Sequence, residues 1–226
     1  MNVCALDTAT ARLGVAVSAE GRYAESVLDE GLHHTEHLTA ELDRLLDRSG
    51  LEAAALDLIV CVRGPGSFTG LRIGMAVAKG LSFGGGTPLV SIPSLDLYAH
   101  GRAYFPGTVL PVIDARKKRI YSALYYNGSR SGSVMDCTPE ELFRALPAGR
   151  TLLTGPYAEV LSTLPPFHQT GDSDDCELNV DPSAADSRLN TLLKLGTERL
   201  NNEGPDHEAR GPLYVRRSEA EEDRRS

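Results

Sequence analysis

Residues 62–74, VRGPGSFTGLRIG, place four glycines and a proline in thirteen positions, directly after the apolar run Leu58-Ile59-Val60-Cys61. A run of that kind, bounded by turn residues, reads as a strand from Leu56 to Val62 that is buried on both faces. The following segment, Thr69 to Gly84, has a helical pattern but is crowded with Gly70, Gly74, Ala76, Ala78 and Gly80. Glycine costs up to ~1 kcal/mol per helical position relative to alanine, so something must pack very closely on this helix. Strand, glycine turn and helix together can bare N–H groups at a helix N-terminus, where the dipole favours an anion. The stretch GPGSFTGLR nevertheless lacks the Gly-Lys-Ser/Thr ending of a P-loop and supplies no phosphate lysine. Two readings stand side by side: a vestigial phosphate turn built on Gly64, Gly66, Ser67 and Thr69, or a turn whose glycines only bend the chain and allow close packing.

Upstream, Val3 to Leu6, Leu13 to Val17 and Tyr23 to Leu28 are three short β-like runs in succession, the pattern of a meander. From Thr35 the period changes, and Leu38, Leu42, Leu45 and Leu46 share one helical face, with Thr35 as N-cap and Gly50 as stop. Downstream, Leu89 to Ile92 is a strand and Pro93-Ser94 opens a short helix through Tyr98. The order β-β-β-α-β-α-β is that of a ribonuclease-H-like α/β layer. The stretch GRAYFPGT, from Gly101 to Thr108, marks a boundary. Beyond it come strands at Val109 to Ile113 and Ile120 to Tyr126, and a hairpin signal at Asn127-Gly128. A helix opening at Pro139, a strand at Thr151 to Thr154 and an amphipathic helix from Pro182 to Leu200 follow. The expected organisation is a lobe over residues 1–100, a smaller lobe over 101–216 and a frayed polar tail over 217–226. The two parts are not detectable sequence repeats.

The 226 residues carry a net charge of −8, which excludes broad nucleic-acid coating, a mode that needs excess basic side chains. A local basic patch stays open. The four cysteines, at 4, 61, 137 and 176, form no C-x-x-C pair, which points away from a zinc ribbon or a secreted disulfide framework and toward a reducing cytoplasm. No signal-peptide pattern and no membrane-length apolar run is present, so no membrane association is expected.

Beside the glycine stretch, three others could carry chemistry. Asp7, Thr8 and Thr10 end the first strand, where hydroxyls and N–H groups hold phosphate oxygens and a carboxylate holds hydrated magnesium; an Asx-turn closing the hairpin is the other reading. His33 and His37 in HHTEH stand at i and i+4, but the motif is not H-E-x-x-H and no third ligand is placed nearby. Arg116-Lys117-Lys118-Arg119 either contacts RNA phosphates or is a solvated turn. No serine, cysteine or threonine sits in a nucleophile elbow, and GPGSFTG is not G-x-S-x-G.

Taken in order, LDTAT, HHTEHL, GPGSFTGLRIGMAVAKGL, SIPSLDLYA, IDARKKRIYSALY and PLYVR resemble the bacterial TsaB (YeaZ) family from about Val3 to Arg216. The resemblance implies two lobes of the actin, hexokinase and heat-shock ATPase (ASKHA) class. It also implies a non-catalytic role beside the paralogous transferase TsaD and the ATPase TsaE, in forming N6-threonylcarbamoyladenosine next to the anticodon of tRNAs that read ANN codons. TsaD would be the direct partner, tRNA would be met through the complex, and a homodimer is a further state of such proteins. ATP and magnesium would be used by the complex, with no cofactor required by this chain. TsaD-type enzymes hold a metal with an i, i+4 histidine pair; here the nearest such pair is Ser94 and Tyr98, and His100 is alone. The motif DTAT has alanine where the family commonly has serine, one hydroxyl fewer in the turn. On this resemblance the partner interface is expected on the two long N-terminal helices, through Leu38, Leu42, Gly70, Gly74, Ala76 and Ala78. The alternatives are an ATP-dependent enzyme of the same fold using Asp7 and the Gly64 to Gly70 turn, and a metallopeptidase using His33 and His37.

Overall fold

The computed structural model describes residues 1–29, 34–167, 176–184 and 186–216. They divide into two compact units: residues from Met1–Leu97 and Ser187–Leu213, and residues from Tyr98–Asp186 together with the chain from Tyr214 on. Two actin-like lobes of the expected α/β class are present, each a five-stranded mixed sheet.

In the first unit, β1 (Val3–Asp7), β2 (Leu13–Ala19) and β3 (Arg22–Leu28) form the antiparallel meander. β4 (Leu58–Gly64) and β5 (Leu89–Pro93) join in parallel to give the order β3-β2-β1-β4-β5. Strand alternation divides the side chains between two cores. Cys4, Leu6, Val15, Val17, Ile59 and Cys61 face one layer of helices, α1 (His34–Ser49) and α2 (Phe68–Gly85), which supply Leu38, Leu42, Leu45, Leu46, Met75 and Ala78. Val3, Ala5, Ala16, Leu58 and Val60 face the opposite way.

That second face is covered by α6 (Leu189–Glu203), through Leu189, Leu192 and Leu193. The expected assignment of all of 101–216 to the second lobe therefore fails for Ser187–Leu213. The physical reason lies in β4: a strand buried on both faces needs two covering layers, and this late helix supplies most of the second. A Cβ on Gly196 would lie 2.3 Å from a Val60 methyl, so the helix seats its backbone on the strand. The helix also starts at Leu189, seven residues later than its expected start at Pro182.

The second unit repeats the same wiring. β6 (Thr108–Asp114), β7 (Ile120–Tyr126) and β8 (Ser129–Cys137) are antiparallel neighbours, and β9 (Gly149–Thr154) and β10 (Cys176–Val180) add in parallel. Its order, β10-β9-β6-β7-β8, is that of the first sheet read from the other edge. α4 (Pro139–Arg144), held by a Thr138–Glu141 capping box, and α5 (Ala158–Ser162) stand where α1 and α2 stand in the first unit. A short helix, α3 (Ser94–Ala99), follows β5.

Among the described residues three hairpin turns carry successive residues with left-handed φ, two in the pairs that a type I′ turn requires and three in the β6–β7 turn. Glu20-Gly21 and Asn127-Gly128 place glycine second, with φ of 80° and 78°. The β6–β7 turn instead places Lys117-Lys118 there, at φ of 52° and 58°, after Arg116 at 62°. A left-handed conformation costs a residue with a Cβ roughly 1–2 kcal/mol, so this turn is the strained member of the three.

Candidate functional site

The glycine stretch meets the β1–β2 turn, and the two segments answer each other's polar groups. Ser67 caps α2 by accepting from the Gly70 N–H at 3.2 Å, while the Ser67 N–H donates to the Ala9 carbonyl at 2.7 Å. The buried Thr8 hydroxyl donates to the Gly70 carbonyl at 2.8 Å. The Ala9 N–H donates to Asp7 Oδ1 at 3.0 Å, an Asx-turn, and the Arg12 N–H donates to Thr10 Oγ1 at 3.3 Å. The glycines are what let the segments approach. A Cβ on Gly70 would lie 2.1 Å from the Thr8 carbonyl oxygen, and one on Gly74 would lie 2.2 Å from Thr8 Oγ1. Gly64, at φ 107°, would meet the Leu213 carbonyl oxygen at 2.7 Å. Thr69 points to solvent. Asp7, Thr8, Thr10, Gly64, Gly66, Ser67 and Thr69 are thus brought to one corner, where the groups described above hold the chain to itself.

The expected interface divides differently. Leu38, Leu42 and Ala78 are buried among the side chains between α1, α2 and the sheet, and Gly70 and Gly74 are buried against Thr8. These five belong to the unit's own core and present nothing to a partner; of the six, Ala76 alone is exposed. The physical reason is the helical period: Gly70, Gly74 and Ala78 recur every four residues on one face, and Ala76 falls on the other. That outer face carries Thr69, Arg72, Ala76, Gly80 and Phe83, all exposed. Phe83 is 93% exposed, and no atom lies within 4 Å of a Cβ built on Gly80. Sequence reasoning reads Gly80 only as one more small residue of the helix and passes over Phe83, although a spacing of seven from Ala76 already places Phe83 on its face. The outer surface of the neighbouring α1 is polar, with Thr39, Asp43, Arg44 and Asp47 exposed.

His33 lies outside the described residues, as does the tail from 217, and His37 sits near the start of α1. Helix α1 begins at His34, so Thr35 lies inside it and not at its cap. Among the described residues no three His, Cys, Asp or Glu side chains gather as a metal cluster, and no helix is long and apolar enough to cross a membrane.

Two carboxylates in the second unit are tuned by arginines. Burial pushes Asp181 up, but hydrogen bonds from Thr154, Ser183 and Arg102 outweigh it and bring the carboxyl down to about 2. Asp136 follows the same pattern: burial raises it, and hydrogen bonds from Arg216 and Arg119 hold it below the ordinary range. Arg119 closes the basic turn, whose Arg116, Lys117 and Lys118 side chains are exposed.

Comparison with known proteins agrees with this architecture. The family model TsaD, tRNA N6-adenosine threonylcarbamoyltransferase, matches residues 30–146, about half of the chain. The tRNA threonylcarbamoyladenosine biosynthesis protein TsaB of Bacillus subtilis is 32% identical over 126 residues, covering 55% of each chain. TsaB of Escherichia coli is 34% identical over 127 residues, again 55% of each. The matched stretch thus spans about half the length of these curated relatives. YeaZ from Pseudomonas aeruginosa superposes with a TM-score of 0.71 at 27% identity, over 95% of this chain and 99% of that one.

Proposed function

The chain belongs to the TsaB (YeaZ) family, and on that premise we propose that it is the scaffold subunit of an assembly that forms N6-threonylcarbamoyladenosine in tRNA. Its direct partner is a TsaD-type transferase, which carries the chemistry. A TsaE-type ATPase joins the assembly and uses ATP and magnesium, the chain itself requires no cofactor, and the substrates are tRNAs that read ANN codons. A second copy of the chain can occupy the same surface when the partner is absent.

The observation that carries this reading is the outer face of α2. A phenylalanine at 93% exposure beside Ala76 and Gly80 is an unusual thing to leave in water. Large aromatic side chains next to small residues are what a partner helix needs: an anchor, and room for close approach. The TsaD family model spans both α1 and α2 of this chain. A TsaD-type subunit accordingly carries counterparts of both helices, and two related folds can pair such faces about a pseudo-twofold axis. Supporting a non-catalytic role, Ser67 and Gly70 of the turn that the alternative ATP-dependent reading would use are bonded to each other and to Ala9 and Thr8.

The test is co-purification with a TsaD-type subunit, followed by threonylcarbamoylation of tRNA with and without this chain. A stable complex and a modification that depends on the chain are expected. Turnover of ATP by the chain alone, or modification that proceeds equally well without it, contradicts the reading.

A further inference from the structure

We propose that the β6–β7 turn, Arg116 to Lys118, is a contact surface for the phosphate backbone of RNA. The inference rests on the tRNA reading above and deepens it by naming the part of this chain that meets the nucleic acid. It starts from a local rule that the turn breaks. The hairpins at Glu20-Gly21 and Asn127-Gly128 put glycine second of their two left-handed residues, whereas this one holds three consecutive non-glycine residues at φ of 62°, 52° and 58°. Residues held in sparsely populated backbone regions gather at functional sites. All three side chains are exposed, so packing in the core is not what calls for them.

The turn is also held firmly from below. The Arg116 N–H donates to Asp114 Oδ1 at 2.8 Å, the Ala115 N–H to the Arg119 carbonyl at 3.0 Å, and the Arg119 N–H to the Arg116 carbonyl at 3.0 Å. Arg119 Nε donates to Asp136 Oδ1 at 2.7 Å, and its Nη2 donates to the Asp136 carbonyl. Among the described residues around the turn stand six cations, Arg116, Lys117, Lys118, Arg119, Arg144 and Arg216, with the carboxylates Asp114, Asp136, Glu140 and Glu141. Asp136 is already shared between Arg119 and Arg216. A rigid cationic tip on a chain whose net charge is −8 is a local exception of the kind that steers a polyanion to one place. Contacts to phosphate need cations and little else, while a protein interface needs an apolar anchor at its centre. None of the large exposed hydrophobic side chains lies in the turn. These features favour RNA phosphate over an acidic protein.

The experiment uses the complex of the full chain with its TsaD-type partner and an unmodified tRNA transcript, titrated from 50 to about 200 mM salt. The variant Lys117→Asn/Lys118→Gly removes two charges and installs the favoured turn pair. Expected are an affinity at least about tenfold weaker at ~0.1 M salt, a slope of log K against log salt shallower by about 2, and partner binding unchanged. The isolated variant should unfold at a higher temperature than the wild type, since the glycine relieves the left-handed strain. Lys117→Arg/Lys118→Arg should keep both affinity and slope. Unchanged tRNA affinity and slope in the Asn-Gly variant, with a wild-type complex that binds and modifies tRNA, overturns this inference and leaves the scaffold reading intact. Loss of the partner subunit in that variant also overturns it, because the turn is then a protein contact. A wild-type chain that neither co-purifies with the partner nor supports modification overturns both.

Discussion

The two faces of α2 are built from the same small residues and do opposite things. On the inner face, Gly70 and Gly74 leave room for Thr8, with less than 2.5 Å between a would-be Cβ and the nearest oxygen. On the outer face, Gly80 has nothing within 4 Å and stands with Ala76 and Phe83 in solvent. Small side chains in a helix announce close packing; which side is packed by the chain itself is decided by phase.

The strongest way to break this comparison is to make one substitution on both faces. Gly70→Ala sets a methyl against the Thr8 carbonyl, which is backbone and cannot rotate away. It should lower unfolding stability by about 3 kcal/mol, at the upper end of overpacking costs, as measured by chemical denaturation. A smaller effect is expected away from α2 altogether. Asp181→Asn weakens the Arg102, Thr154 and Ser183 network, and should lower stability by about 2 kcal/mol at neutral pH. It should leave partner affinity unaltered if the outer face of α2 is the seat. The wild-type contribution also has a pH signature. The folded Asp181 carboxyl lies at about 2, below its unfolded value of ~3.9. Its stabilisation is therefore complete above about pH 4 and is lost as pH falls toward 2. In the asparagine variant that part of the acid loss should vanish from a denaturation series. Smallest, and opposite in sign, is Gly80→Ala. With no neighbour to meet, it should raise stability by up to about 1 kcal/mol through helix propensity alone. A destabilised Gly80→Ala protein would dissolve the distinction between the faces.

Much of the fold was legible because it follows from local rules. The run Leu58 to Cys61 had to be a buried strand, the leucines of α1 share one helical face, and Asn127-Gly128 is a turn pair that needs no tertiary help. Membership of the lobes was less legible. Helix α6 is remote in sequence from the strand it covers, and its amphipathic pattern says that it packs without saying on what. The short α5 and β10 carry too few periodic residues to be read alone. At the candidate site, composition singles out α2 as a close-packing helix but does not give its orientation. Gly70, Gly74 and Ala78 drew attention by being small, although the same period places Phe83 on the far side. The charge run from Arg116 to Arg119 is legible as a turn, but its left-handed backbone is not, since three such residues without glycine run against the rule used to find a tight hairpin turn.

The most direct test of a partner seat on the outer face of α2 is calorimetric titration of a TsaD-type subunit into the wild-type chain and into Phe83→Asp. Replacing a side chain that is 93% exposed should leave unfolding stability within about 0.5 kcal/mol. Partner affinity should fall at least about 30-fold, the loss of an anchor worth ~2 kcal/mol. Undiminished affinity in a folded Phe83→Asp chain would contradict the assignment and place the partner elsewhere on the molecule.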